Sequence, residues 1–172
     1  MREIMYCTSS EAAKLLRKLN EERNDLLAME EQSCTFLASL GEDVESVRPV
    51  YQFGEIQEKL AELERKIRVV KHAVNQFNVT QVVPGTEMTI DQLLVYIPQL
   101  TQQKQKLSVM KSRLPKQRDM TFGRSQTMID YCYANYEISE AEAAWQRVSD
   151  ELANVQTALD VVNNTVTMEI DL

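Results

Sequence analysis

The chain has 172 residues, 44% of them hydrophobic and 26% charged, with only four glycines and four prolines. This composition excludes a disordered or low-complexity chain, and the length suits one domain that buries enough surface to stand without metal or disulfide support. A formal charge of −7 opposes general attraction to nucleic acid or anionic lipid, and Cys7, Cys34 and Cys132 are too widely spaced for a disulfide framework or a zinc motif. With no apolar run long enough to span a bilayer and no apolar leader ahead of Lys14, the chain reads as cytoplasmic.

The first helix is expected from Ser9, because Thr8 and Glu11 have capping-box spacing. Its apolar seam reads Ala12, Leu15, Leu19, Glu22, Leu26, Met29, Ser33, Phe36 and Leu40, with a stop at Gly41. Residues 41–54 read as a polar connection containing Arg48-Pro49. The second helix carries Ile56, Leu60, Leu63, Ile67, Val70, Val74 and Phe77, whose separations alternate four and three. This heptad rhythm buries a narrow stripe against a similarly patterned helix. The second helix ends at Asn75 to Asn78, so the sequons at Asn78 and Asn163 read as helix-end chemistry.

Thr80, Val82 and Val83 form a short β-prone run stopped by Pro84-Gly85, and Thr89 to Gln92 is a second capping box. The third helix has the seam Leu93, Ile97, Leu100, Lys104, Leu107, Met110 and Leu114, a kink expected at Pro98, and an end at Leu114-Pro115. A long connection follows over 115–138, in which Met128 to Tyr133 alternates like a strand. Ser139 and Glu142 have the spacing to cap the fourth helix, with the seam Ala141, Trp145, Val148, Leu152, Val155, Leu159 and Val162.

Residues 51–80 align with 136–165 as an internal repeat that pairs Tyr51 with Tyr136, all seven seam positions, and Thr80 with Thr165. The expected fold is therefore a single mainly α domain over 1–172: an up-down-up-down four-helix bundle with coiled-coil-like antiparallel packing. The β-prone runs Glu3 to Cys7, Thr80 to Val83 and Thr165 to Ile170 flank the same helix ends, which predicts a small β-sheet closing one end of the bundle.

Few residues suggest chemistry. Glu22 and Lys104 interrupt apolar seams and are expected as a buried polar pair that specifies register, with proton transfer as the sharper alternative. His72 is the lone histidine and is expected partly exposed at a helix flank, and Cys34 as a small packed residue. Without a ligand cluster or a Gly-rich phosphate loop, the sequence implies no metal, cofactor or catalytic residue, and enzymatic activity is not expected.

Two surfaces stand out. Lys104, Lys106, Lys111, Arg113, Lys116, Arg118 and Arg124 concentrate positive charge. Their plain role is to favour a helix C-terminus and answer acidic helix faces; the sharper role, for Lys111, Arg113, Lys116 and Arg118 above all, is anion binding. Tyr131, Tyr133, Tyr136 and Phe122, with Trp145 nearby, either cover the open end of the core or form an interaction surface. Val69 and Ala73, beside the second seam, offer a further apolar face.

Asn75-Gln76-Phe77-Asn78, followed by Thr80, Gly85 and Thr89 to Leu94, resembles a family of small uncharacterised bacterial helical proteins, some labelled septicolysin-like. The resemblance covers about residues 63–107 and implies a bacterial or phage source and a helical fold; no residue here supports a lysin activity. The function expected is that of a structural or interaction protein that scaffolds a protein partner or itself, a homodimer included. The rival is a nucleic-acid-binding protein using residues 104–124, and an enzyme is the remote third.

Overall fold

The computed structural model describes residues 4–118 and 130–172. These form a mainly helical protein with small antiparallel sheets: β1 (Ile4–Thr8), α1 (Ser9–Ser33), α2 (Val44–Val47), α3 (Phe53–Thr80), α4 (Ile90–Lys111), β2 (Lys116–Arg118), β3 (Tyr131–Tyr133), α5 (Ile138–Thr165) and β4 (Thr167–Asp171). The chain divides into two compact units, one of residues 1–80 and 161–172, the other of residues 81–160.

In the first unit, Thr8 ends β1 and starts α1. Its hydroxyl accepts the Glu11 N–H at 3.2 Å while the Glu11 carboxylate accepts the Thr8 N–H at 2.9 Å, which satisfies two otherwise orphaned donors. Helix α1 packs on α3, and the polar contacts fix their direction. Arg23 meets Glu64 at 3.2 Å, and further along α1 the Glu30 carboxylate accepts from Tyr51 (2.9 Å) and Gln57 (2.6 Å), so the two helices run antiparallel. The heptad seam of α3 faces inward as expected: Ile56, Leu60, Ile67, Val70 and Phe77 are buried and Leu63 and Val74 half-buried. Strands β1 and β4 pair antiparallel from Ile4↔Asp171 to Thr8↔Thr167. Their alternation puts Cys7, Met168 and Ile170 in the core and leaves Ile4 and Tyr6 exposed.

In the second unit, Thr89 caps α4 as Thr8 caps α1, with Gln92 returning the bond to the Thr89 N–H at 2.9 Å. Helices α4 and α5 are joined by a core of Leu100, Val148 and Leu152, flanked by Tyr96, Ile97 and Leu107. Tyr96 donates to Glu151 at 2.5 Å and Tyr136 to the Met110 carbonyl at 2.8 Å, so these helices are antiparallel too. Strands β2 and β3 form an exposed hairpin in which Lys116 opposes Tyr133 and Arg118 opposes Tyr131.

Several expectations are corrected. The first helix ends at Ser33, not at Gly41, and leaves Leu37 and Leu40 outside it. Thr35 and Phe36 are weak helix formers, and beyond them the seam has no partner that would hold them in a helix. The connection read as irregular contains α2, capped by the Asp43 carboxylate on Glu45 N–H and ended before Arg48-Pro49. Thr80 closes α3, and Val82 makes only an isolated bridge to Thr89, so among the described residues the third β-prone run does not join β1 and β4. Pro84 and the left-handed Gly85 (φ 80°) turn the chain back before that run can lengthen. Helix α5 starts at Ile138, so Ser139 lies within its first turn and the Glu137 carbonyl takes the cap position instead. Helix α4 runs through Pro98 uninterrupted and ends at Lys111, three residues before Leu114.

A displacement of 85 residues carries the bounds of α3 (53 and 80) onto those of α5 (138 and 165). It also superposes the hydroxyl bonds of Thr80 and Thr165, each to the carbonyl four residues earlier. A displacement of 81 carries Thr8 onto Thr89, both helix caps with capping boxes. The same shift carries buried Ala12 and Leu19 onto buried Leu93 and Leu100. Asn20 bonding the Leu16 carbonyl falls onto Thr101 bonding the Ile97 carbonyl.

Candidate functional site

Each helix pair is joined by a connection, and the described parts of both connections expose apolar or aromatic side chains. In the first, the chain from Cys34 to Gln52 exposes Leu37 (96%), Leu40 (108%), Val44 and Val50 (96%), and Phe53 continues the series at the start of α3. A leucine at that exposure keeps its whole apolar surface in water, and three residues so exposed, with Val44 and Phe53 exposed in part, within seventeen positions exceed the scatter of single apolar residues found on ordinary surfaces. The backbone around them is pinned. Glu42 accepts the Ser39 N–H at 2.9 Å, the Asp43 carboxylate caps α2, and Arg48 is held by both oxygens of Glu45 (2.8 and 3.0 Å) while lying 5.3 Å from the Phe36 ring. Three carboxylates, Glu42, Asp43 and Glu45, stand against the one guanidinium of Arg48, so this apolar loop is acidic.

The second connection brings together two sets of residues singled out from the sequence. Lys111 Nζ lies 3.4 Å and Lys104 Nζ 5.6 Å from the Trp145 ring centre, and Lys116 Nζ sits 4.2 Å from the Tyr131 ring and 5.3 Å from that of Tyr133. These are cation–π contacts, which hold ammonium groups in place without neutralising them. Tyr136 is half-buried and anchored to Met110, whereas Tyr131 and Tyr133 are exposed on the hairpin and do not cover the core. Arg113 and Arg118 are exposed as well. Lys104, Lys111 and Lys116 thus meet aromatic rings, and Lys111 also stands in the last turn of α4, as expected of a cation at a helix C-terminus. Phe122 and Arg124 lie outside the described residues. Trp145 Nε1 is enclosed and has no acceptor among the described residues.

The expected buried pair is overturned. Glu22 is exposed and lies 3.8 Å from Lys18, one turn earlier on its own helix, while Lys104 is half-buried beside Trp145. No charged or polar residue is buried among the described residues, so the cost that would force a pairing never arises. Cys34, expected to be packed, is exposed beyond the end of α1, whereas Cys7 is buried and its thiol is pushed up by that burial and by Glu11. His72 is exposed on the flank of α3. It borders an open groove of about 380 Å³, in which Arg68, Glu169 and Asp171 surround Val69 and Ala73. Among the described residues no three potential ligands come together to hold a metal, and no helix is long and apolar enough to cross a membrane.

The exposed apolar loop was missed from sequence because Phe36 and Leu40 continue the α1 seam at helical spacing. The signal against that reading was local: after Ser33 the segment Cys-Thr-Phe has little helix propensity and Leu37 lies off the seam.

No protein-family model matches the chain, and no curated protein matches it. Among solved structures it is similar to a functionally unknown conserved protein from Corynebacterium diphtheriae, with a TM-score of 0.56 and 15% identity over 95% of this chain and 99% of that one. At that identity the likeness concerns the fold alone.

Proposed function

We propose that this chain is a cytoplasmic interaction protein of bacterial origin that self-associates or scaffolds a protein partner, with the connection between α1 and α3 as its docking surface. The single observation that carries this reading is the exposure of Leu37, Leu40, Val44, Val50 and Phe53 along the segment that joins α1 to α3, whose backbone is tied down by its own carboxylates. A pre-ordered apolar surface loses little conformational entropy on docking, so burying it yields net affinity. The expectation of an up-down-up-down four-helix bundle with coiled-coil-like packing, and of a homodimer, belongs to the same proposal.

The rival reading, nucleic acid on residues 104–124, is less well supported, because the net charge of −7 opposes it.

Mass measurement by light scattering across a concentration series tests the proposal. The wild type is expected to exceed the monomer mass of 19.8 kDa or to capture a protein partner through this loop. Leu37→Ser with Leu40→Ser removes that association while leaving the helical circular dichroism and melting temperature unchanged, because neither side chain packs in the fold. Association unaffected by the double substitution overturns the assignment of the loop.

A further inference from the structure

Resting on the reading of the first connection as a docking surface, we infer that its occupant is the β2–β3 hairpin region of a second copy of this chain, which meets the acidic apolar loop with a basic aromatic surface.

The two surfaces are complementary in both respects that decide an interface. In charge, the loop carries Glu42, Asp43 and Glu45 against Arg48, whereas the described part of the second connection carries Lys111, Arg113, Lys116 and Arg118 against Asp130 and Glu137. The chain is acidic overall, so a basic patch is the exception on its surface and the natural counterpart of an acidic one. In apolar chemistry, the loop offers aliphatic side chains and the β2 and β3 strands offer the rings of Tyr131 and Tyr133, both exposed. Aromatic and arginine side chains seated on aliphatic surface are the groups that carry most binding energy at protein interfaces.

The arrangement of the hairpin favours this partner over a small anion. Lys116 is held over Tyr131 and Tyr133, and its strand partners alternate cation with ring, Lys116 opposite Tyr133 and Arg118 opposite Tyr131. An inorganic anion would use the cations and leave the rings in water, whereas the acidic apolar loop uses both. The contact is heterologous: one patch of one copy meets a different patch of the other. Homotypic docking of loop on loop would place like charges together in desolvated surroundings, which opposes association.

The test is charge exchange between the two surfaces, read by sedimentation velocity and light scattering on the full chain. Glu42→Lys with Glu45→Lys on the loop, and Arg113→Glu with Arg118→Glu on the hairpin, are each expected to weaken self-association at least about tenfold. Both sets leave the core, the Trp145 stack and the Lys116 stack untouched, and circular dichroism checks that each variant is folded. Mixing the two variants is expected to restore association as a mixed complex, because reversed loop then meets reversed hairpin and native loop meets native hairpin. Wild-type association is expected to weaken as salt is raised, since the paired charges are screened.

Failure of the mixed complex to form overturns the inference. Self-association that survives Arg113→Glu with Arg118→Glu but is lost with Leu37→Ser and Leu40→Ser overturns the hairpin as occupant and leaves the loop as docking surface. A wild type that is monomeric throughout overturns the second copy as occupant, and association removed by nuclease overturns it in favour of nucleic acid.

Discussion

Tyr6, Tyr51 and Tyr96 each donate their phenol hydrogen to a carboxylate on another element, Glu169 at 3.1 Å, Glu30 at 2.9 Å and Glu151 at 2.5 Å. Their pKa values are raised: for Tyr6 and Tyr96 first by that hydrogen bond, for Tyr51 first by burial. A phenol whose pKa is higher folded than unfolded contributes stability that is fully present below about pH 10 and is lost as pH rises through the folded value. The acid side mirrors this. Glu11 is held below its ordinary value first by the Thr8 N–H, and Glu62 by the Arg65 side chain, so their contributions are present above about pH 4.3 and are lost as pH falls through the depressed values. Urea denaturation across pH is therefore expected to show a plateau between the two windows with a decline on each side. Tyr96→Phe is expected to lower the plateau and flatten part of the alkaline decline. An alkaline slope identical in wild type and Tyr96→Phe would show that this phenol contributes nothing there.

At the scale of the element, the helix starts of α1 and α4 were legible because their signals are local: a threonine cap and an acceptor three residues on. The seams of α3 and α5 were legible because a 4-3 rhythm over 22 residues has few other solutions. The end of α1 was not legible, since an apolar residue at helical spacing reads the same whether it is packed or, like Leu40, left in water. Neither was the Trp145 stack, whose lysines come from α4 while the ring comes from α5, a juxtaposition set by packing rather than by spacing. The hairpin was half legible: the alternation near Tyr133 announced a strand, but its partner Lys116–Arg118 carries no strand signal of its own. These differences predict unequal sensitivity. Thr89→Ala is expected to cost about 1 kcal/mol by loss of the cap. Leu93→Ala, at a fully buried position one turn further on, is expected to cost about 2–5 kcal/mol through the cavity it leaves. Chemical denaturation compares the two, and equal losses would place Leu93 outside the core.

At the scale of the whole molecule, α1 corresponds to α4 at a shift of 81 residues and α3 to α5 at a shift of 85, while the connection lengthens from residues 34–52 to residues 112–137. In each half a threonine-capped helix is followed, after a connection, by a helix of 28 residues. The described parts of the two connections differ in character, one acidic and aliphatic, the other basic and aromatic, and under the proposed heterologous contact this difference lets copies associate where two identical connections would repel.

The pairing of β1 with β4 sets Ile4 directly beside Asp171, so the first and last described strands are neighbours and the backbone all but closes into a ring. Where a polypeptide begins and ends is then nearly arbitrary with respect to its fold. A circular permutant joining Asp171 to Ile4 by a short glycine-serine bridge, with new ends opened at Leu37 in the exposed loop, is expected to recover the far-ultraviolet spectrum and cooperative melting of the parent. A permutant that stays unfolded would mean that the order of synthesis, and not only the closed circuit of contacts, is needed to reach this structure.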